Sequence, residues 1–164
     1  MKKFLIIFFA YLMFTGITVI ADDNYTLNAG ISINEVPETF FGSWRVTAKL
    51  DDTDSPRTFK PQSIDVWSLE RVGDTISLVN YFSGAHAKIS IKATEGNLIV
   101  FSKEAPYENK ILTDTVSIRL EKNSFSGINT LFLKSYSPVD GKLTKTESAR
   151  YLLNGEKISG DNVL

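Results

Sequence analysis

The chain of 164 residues contains no cysteine, a single histidine and only five prolines. The absence of cysteine excludes a disulfide framework, zinc sites with thiolate ligands and a cysteine nucleophile. The net charge is −1 at pH 7, with 18 basic residues against 19 acidic ones. Domains that bind nucleic acid usually carry a basic excess on one face, so we expect no nucleic-acid partner.

Motifs of the common enzyme classes are also missing. The sequence has no glycine-rich phosphate loop and no Gly-x-Ser-x-Gly elbow. Asp51, Asp52 and Asp54 share one segment, but that segment lacks the glycine and the late glutamate of a calcium loop. His86 lies on a polar face without a nucleophile nearby, which is typical of a solvated residue. We therefore expect no enzyme, no catalytic residue, no metal site and no cofactor.

Residues 1–21 have the features of an export signal. Two lysines precede an almost unbroken apolar run over residues 4–20, and compact residues lie before a cleavage position after Ala21. An uncleaved membrane anchor is the alternative, but the run is short for a bilayer and the acidic Asp22 follows it. We expect cleavage after Ala21 and a secreted or periplasmic protein. Residues 22–39 are polar and predict an N-terminal arm, and residues 40–164 predict a barrel domain.

The domain shows the two-residue alternation of half-buried strands and no sustained helical period. In ETFFGSWRVTAKL, for example, Trp44, Val46, Ala48 and Leu50 alternate with polar residues. Turn residues separate eight predicted strands, at 44–50, 64–71, 75–82, 85–93, 98–102, 111–121, 126–136 and 143–153. Asn154-Gly155 is a strong hairpin signal, which predicts a short ninth strand at 156–159.

Strands joined by short loops must pair antiparallel, because parallel neighbours need a long crossover connection. A sheet of this size leaves two exposed edges unless it closes on itself. The predicted fold is therefore all-β, a single antiparallel up-and-down β-barrel of eight or nine strands.

Alternate connections of such a barrel lie at opposite ends. The longer connections, 51–62, 103–109 and 137–141, fall at one end, whereas the other end has tight turns. Binding surfaces often lie on long loops over a rigid scaffold, and small-molecule sites are mostly apolar. We therefore predict a ligand site from the aromatic residues of the mouth and interior. Its members are Phe59, Trp67, Phe82, Phe101, Tyr107 and Tyr136.

The stretch FFGSWRV resembles the Gly-x-Trp motif on the first strand of lipocalins and their calycin relatives. The resemblance rests on Phe41, Gly42 and Trp44 and on the loop pattern. It implies an eight-stranded barrel in which Gly42 and Trp44 close one end. The family's late arginine, which packs over the tryptophan, would correspond to Arg150, although alternation points Arg150 outward. The family's Thr-Asp-Tyr motif has no match, since 113–115 reads Thr-Asp-Thr.

Three functions follow as hypotheses. The leading one is an exported barrel that binds a small apolar or lipid-like ligand. The second is a periplasmic protein-binding or inhibitor-type module with a packed core, whose partner is another envelope protein. The third is a small outer-membrane barrel with its apolar face outward.

Overall fold

The computed structural model describes residues 35–80 and 85–160. Within this part of the chain, a short 3-10 helix, Glu38–Phe40, precedes eight strands. These are β1 (Gly42–Thr53), β2 (Gln62–Val72), β3 (Thr75–Asn80), β4 (Ala85–Glu95), β5 (Leu98–Tyr107), β6 (Lys110–Leu120), β7 (Ser124–Tyr136) and β8 (Leu143–Ser159). The predicted signal segment and most of the predicted arm lie outside the described residues.

The strands form one closed barrel in chain order, and β8 pairs with β1 to complete it. Every neighbouring pair is antiparallel, from β1–β2 around to β7–β8. The prediction of a single all-β, up-and-down barrel is therefore confirmed. Closure leaves no free sheet edge among the described strands, and exposed edges favour unwanted pairing with other chains.

Apolar side chains fill the interior because alternate residues of a strand point to opposite faces. In β1, Trp44 and Val46 are buried while Arg45 between them is exposed. In β4, Ile89 is buried while His86 and Lys88 are exposed. The core begins before β1, since Val36 and Phe40 are also buried in it. None of the helices in the described part of the chain is long and apolar enough to cross a membrane.

The predicted ninth strand is wrong, because β8 runs straight through Asn154 and Gly155 to Ser159. Gly155 points inward and packs against the ring of Phe125, where a Cβ atom would come within 2.2 Å of ring carbon Cε1. The glycine is needed for this close approach between side chain and backbone, and a turn is not required there. Residues beyond Gly155 pair with β1, where Glu156 lies opposite Arg45.

The predicted polar loop at 103–109 is also wrong. β5 continues to Tyr107, and Tyr107 pairs with Lys110 of β6, so Glu108 and Asn109 alone make the turn. Glu108 takes a left-handed backbone conformation with φ of 52°. The open end of the barrel therefore carries two longer described connections, residues 54–61 between β1 and β2 and residues 137–142 between β7 and β8.

Candidate functional site

The closed end is built around Trp44, which is fully buried. Its indole Nε1–H donates a hydrogen bond to the carbonyl oxygen of Phe40 at 3.0 Å, which ties the 3-10 helix to β1. Gly42, two residues earlier, has φ of +116°, and a Cβ there would meet the Ser159 carbonyl oxygen at 2.4 Å. The closed end thus requires both residues of the Gly-x-Trp stretch: Trp44 for its buried ring and hydrogen bond, and Gly42 because a side chain would not fit there.

The cation above Trp44 is Lys157, a residue that sequence reasoning missed. Its Nζ lies 5.2 Å from the ring centroid and donates a hydrogen bond to the Thr39 carbonyl oxygen at 3.0 Å. Arg150, which the resemblance suggested for this position, lies on the outer face of β8. Its Nε donates a hydrogen bond to Asp51 at 2.6 Å. Lys157 falls at an inward-facing position in the alternation of β8, and this sequence pattern could have identified it.

Three of the aromatic residues predicted for a ligand site lie in the interior, but they are packed against other side chains. Trp67 stacks on Phe125 with centroids 6.0 Å apart, and Phe101 meets Trp67 edge-on at 6.3 Å. Phe59 is buried although it belongs to a loop. Tyr107 is exposed and Tyr136 is half-buried at the open end. Phe82 lies outside the described residues.

The connection 54–61 folds over the open end and is fastened to β8. Asp54 accepts hydrogen bonds from the Ser148 backbone N–H and hydroxyl, at 2.9 and 2.7 Å. These bonds hold the pKa of Asp54 below its ordinary value. Tyr151 donates its hydroxyl to the Lys60 carbonyl oxygen at 2.9 Å. We call residues 54–61 the mouth loop; it places Phe59 inside the barrel.

A second link in the mouth loop is made by Thr58, whose hydroxyl donates to Glu147 at 2.7 Å. Glu147 points inward on β8 and also pairs with Lys145 at 2.7 Å. Burial favours the neutral acid, but the hydrogen bonds from Lys145, Thr58 and Ser55 outweigh it and lower the pKa of Glu147. The mouth loop is therefore held by charged as well as neutral hydrogen bonds.

Below the mouth loop, polar side chains replace apolar ones on the inner faces of neighbouring strands. We call this set the interior polar belt. It consists of Asp65 on β2, Asn80 on β3, Lys103 on β5, Asp114 on β6 and Asn129 on β7. Buried polar groups normally have hydrogen-bond partners, so each member calls for an explanation.

Some belt groups are paired. Lys103 Nζ lies 3.3 Å from Asp114 Oδ2, and both side chains are almost out of contact with solvent. Asp65 Oδ1 accepts hydrogen bonds from the Val66 backbone N–H and from the Asn80 side-chain amide. Among the described residues, however, Asp65 Oδ2, Asn129 Oδ1 and both carboxyl oxygens of Asp114 are buried acceptors with no hydrogen-bond donor; of these side chains, Asp65 and Asn129 line the cavity described below.

Burial raises the pKa of both belt carboxyl groups. For Asp114, loss of hydration is the largest effect, and the nearby Lys103 and Asn129 oppose it without cancelling it. For Asp65, loss of hydration again leads, against the Val66 N–H, Lys103 and Asn80. The belt therefore contains two carboxyl groups that its own cation does not fully compensate.

A cavity of about 30 Å³ lies beside the belt in the open half of the barrel. Its walls include Asp65 and Asn129 together with Trp67 and Tyr151, and Lys60 of the mouth loop borders it. The complete lining is Val46, Ala48, Lys60, Ser63, Asp65, Trp67, Asn129, Leu131, Tyr151 and Leu153. The volume is roughly two to three times the minimum that one water molecule needs and roughly a tenth of the smallest ordinary ligand pocket.

The arrangement offers charge and hydrogen-bond acceptors to a small guest. Among the residues that the structure describes, no group of three or more His, Asp or Glu side chains could hold a metal ion. The sequence analysis did not predict the belt, although the alternation of inward and outward residues along each strand could have indicated it. Asp114 shares the inward phase of Val116 and Ile118 in β6.

Comparison with models of protein families, with curated proteins and with solved structures finds no match for this chain. The closed eight-stranded barrel is compatible with the lipocalin-like architecture suggested by the Gly-x-Trp stretch.

Proposed function

We propose that the protein is an exported barrel that binds a small ligand in the cavity beneath the mouth loop. The observation that carries the proposal is the pair of buried acceptors without donors, on Asp65 and Asn129, at the wall of that cavity. A protein core that is built only for stability seldom leaves such groups unsatisfied. Export is supported by the apolar run over residues 4–20 of the sequence.

The mouth loop supplies a route of entry. It is the only described connection that places a buried aromatic side chain, Phe59, inside the open end, and hydrogen bonds to β8 hold it there. Breaking these bonds would expose the cavity without disturbing the barrel hydrogen bonds below. A ligand larger than the cavity therefore requires the loop to move.

The size of the cavity bears on the ligand class. A fatty acyl chain does not fit in about 30 Å³, and the interior aromatic residues Trp67 and Phe101 are occupied in packing with Phe125 and Phe40. A lipid-like ligand would need the mouth loop and part of the core to rearrange. A small polar ligand needs neither change, and we favour it.

The experiment compares wild-type protein with Ala48→Leu, a substitution that fills the cavity, and with Thr130→Leu on the outer face of β7. Thermal midpoints are recorded with small cationic, anionic and neutral compounds and with fatty acids. We expect at least one class to raise the midpoint of the wild type and of Thr130→Leu but not of Ala48→Leu. No response of the wild type to any class would contradict the proposal.

A second candidate, the protein-binding module, is favoured by one observation on the outer surface. Ile128 of β7 and Leu152 of β8 are cross-strand partners and both point to solvent, with 41% and 43% of their surface exposed. Phe132, two outward positions along β7, is 42% exposed. An apolar patch of this kind is typical of a contact surface when it is large. Capture of one envelope protein by the wild type but not by Ile128→Lys would support this candidate.

The outer-membrane alternative requires apolar side chains on the outer face. The outward positions of β1 and β4 instead carry Arg45, Lys49, His86 and Lys88, all exposed. Charged side chains at lipid-facing positions are strongly unfavourable near the bilayer centre. The direction of the strand alternation thus supports a barrel that faces water.

A further inference from the structure

We propose that the cavity takes a small ammonium-type cation, meaning a group with one positive charge and several N–H donors. This inference rests on the proposed function, because it assigns a ligand class to the same cavity. Three independent features of the site lead to it: the kind of hydrogen-bonding atoms left over, the balance of charge and the size of the space.

The leftover hydrogen-bonding atoms at the cavity are acceptors. Asp65 Oδ2 and Asn129 Oδ1 have no donor among the described residues, and both side chains line the cavity. Asn129 is only 5% exposed, so water outside the barrel does not serve it. Tyr151, which also lines the cavity, directs its hydroxyl hydrogen away to the Lys60 carbonyl oxygen. The guest that completes this set must therefore donate hydrogen bonds.

The charge balance of the belt favours a cation as the donor. The belt holds two carboxyl groups, Asp65 and Asp114, against one ammonium group, that of Lys103. Lys103 is in contact with Asp114 at 3.3 Å and also acts on Asp65 through its charge, while the hydrogen bonds that Asp65 accepts come from the Val66 N–H and the Asn80 amide. Within the belt, one negative charge is thus left over when both carboxyl groups are ionised, and the only other cation at the cavity among the described residues is the exposed Lys60 of the mouth loop. Opposite charge nearby is the most effective compensation for a carboxylate removed from water.

The space selects for small size. The cavity of about 30 Å³ offers roughly two to three times the space that one water molecule needs as a minimum, and an ammonium ion is close to water in size. Methylammonium adds one methyl group, which can lie against Leu131 or Val46 in the wall. A single water molecule could also serve both acceptors, but it leaves the extra negative charge uncompensated. The experiment must therefore separate a cation from water.

The test is an NMR titration of wild-type protein, in which the chemical shifts of backbone and side-chain amides report binding. Ammonium, methylammonium, tetramethylammonium and potassium chlorides are compared at constant ionic strength, with methanol and sodium acetate as neutral and anionic probes. We expect ammonium and methylammonium to shift the signals of Asp65, Trp67 and Asn129 in a saturable way. Tetramethylammonium has no N–H donor, and potassium has charge and similar size without donors, so both should bind at least tenfold more weakly.

Asp65→Asn removes the charge with little change in shape, and we expect at least tenfold weaker methylammonium binding. Asp52→Asn, at an exposed position of β1, is the matched control and should bind like the wild type. If Asp65→Asn does not fold, the wild-type comparison of ammonium with potassium, which match in charge and size, decides the question alone.

The outcomes separate this inference from the proposed function. Saturable cavity shifts with methanol or acetate but not with the ammonium salts would overturn the ammonium assignment and leave a small-ligand barrel standing. Equal binding of potassium and ammonium would overturn the assignment of N–H donation. No cavity shifts with any probe, together with a resident water signal that persists throughout, would overturn both.

Discussion

Lys157 lies over the ring of Trp44, with its Nζ 5.2 Å from the ring centroid and 3.0 Å from the Thr39 carbonyl oxygen. One side chain near the end of β8 therefore holds both the first strand and the segment that enters it. Lys157 is 93% buried, so both contacts are shielded from solvent. The closed end depends on this contact between the two ends of the barrel.

Lys157→Met keeps the aliphatic stem but removes the charge and the donor. We expect the free energy of unfolding to fall by about 1–2 kcal/mol, from the lost cation–π contact and hydrogen bond. Chemical denaturation measures it. Arg150→Met is the control, since the ion pair of Arg150 with Asp51 is on the surface and should change stability by about 0–1 kcal/mol. A larger loss for Arg150→Met than for Lys157→Met would show that the closing cation is misassigned.

Gly155→Ala should destabilise the barrel by about 1–3 kcal/mol, as expected for overpacking a core. The added methyl group would lie 2.2 Å from Cε1 of Phe125, so the ring must move. Phe125→Leu frees this space. The loss of stability caused by Phe125→Leu should therefore be smaller in the Gly155→Ala background than in the wild type. Thermal or chemical unfolding of the four proteins measures the coupling. Additive costs would indicate that Gly155 does not pack against Phe125.

The buried carboxyl group of Asp114 makes stability depend on pH. Its pKa is raised in the folded protein by burial, so the folded state holds a proton that the unfolded state has released above the ordinary value of 3.8. The unfolding free energy should therefore fall as pH rises from 3.8 through the raised pKa, by about 1.4 kcal/mol per unit of pKa rise. Asp114→Asn should lack this part of the slope.

Asp140 should contribute to the pH dependence of stability with the opposite sign, so Asp140→Asn serves as the control for this measurement. Asp140 is exposed, and hydrogen bonds from Ser137 and Lys142 lower its pKa. Its contribution to stability is present above the ordinary pKa of 3.8 and is lost as pH falls through the lowered value. Denaturation between pH 3 and pH 8, at matched ionic strength, compares both variants with the wild type. A common slope for the wild type and Asp114→Asn would contradict the burial of an uncompensated Asp114.

The mouth loop should open more easily when its tie to β8 is cut. Tyr151→Phe removes the hydrogen bond to the Lys60 carbonyl oxygen, which contributes about 0.5–1.5 kcal/mol. Amide hydrogen exchange of the Thr58 and Phe59 backbone groups should speed up by a factor of about 2–12, the equivalent of that free energy. Exchange in the strand β6 should stay unchanged. Equal acceleration in β6 would mean that the hydroxyl supports the whole barrel.

The sequence was sufficient for the architecture because alternation and turn residues repeat along the whole domain. Trp44 and Val46 of β1 lie inside as their parity predicts, and His86 and Lys88 of β4 lie outside. Local turn chemistry was less informative. Asn154-Gly155 has the composition of a hairpin, but Gly155 is there to admit the ring of Phe125, a contact between residues 30 positions apart in the chain.

The candidate site was harder to predict for a related reason. Aromatic residues suggested a ligand mouth, yet Trp67 and Phe101 are used in core packing, as aromatic side chains in a small barrel often are. The polar belt was visible only as single polar residues in the inward phase of separate strands. Its significance depends on which strands are neighbours and on which acceptors lack donors, and both depend on the closed barrel.

We propose that the ligand site is the cavity of the open half, bounded by the polar belt and the mouth loop. Amide chemical-shift mapping of wild-type protein with the small-compound panel tests it most directly. We expect saturable shifts at Lys60, Asp65, Asn129 and Tyr151, with outward residues of β7 and β8 unaffected. Saturable shifts confined to Ile128, Phe132 and Leu152 would contradict it and place binding on the outside of the barrel.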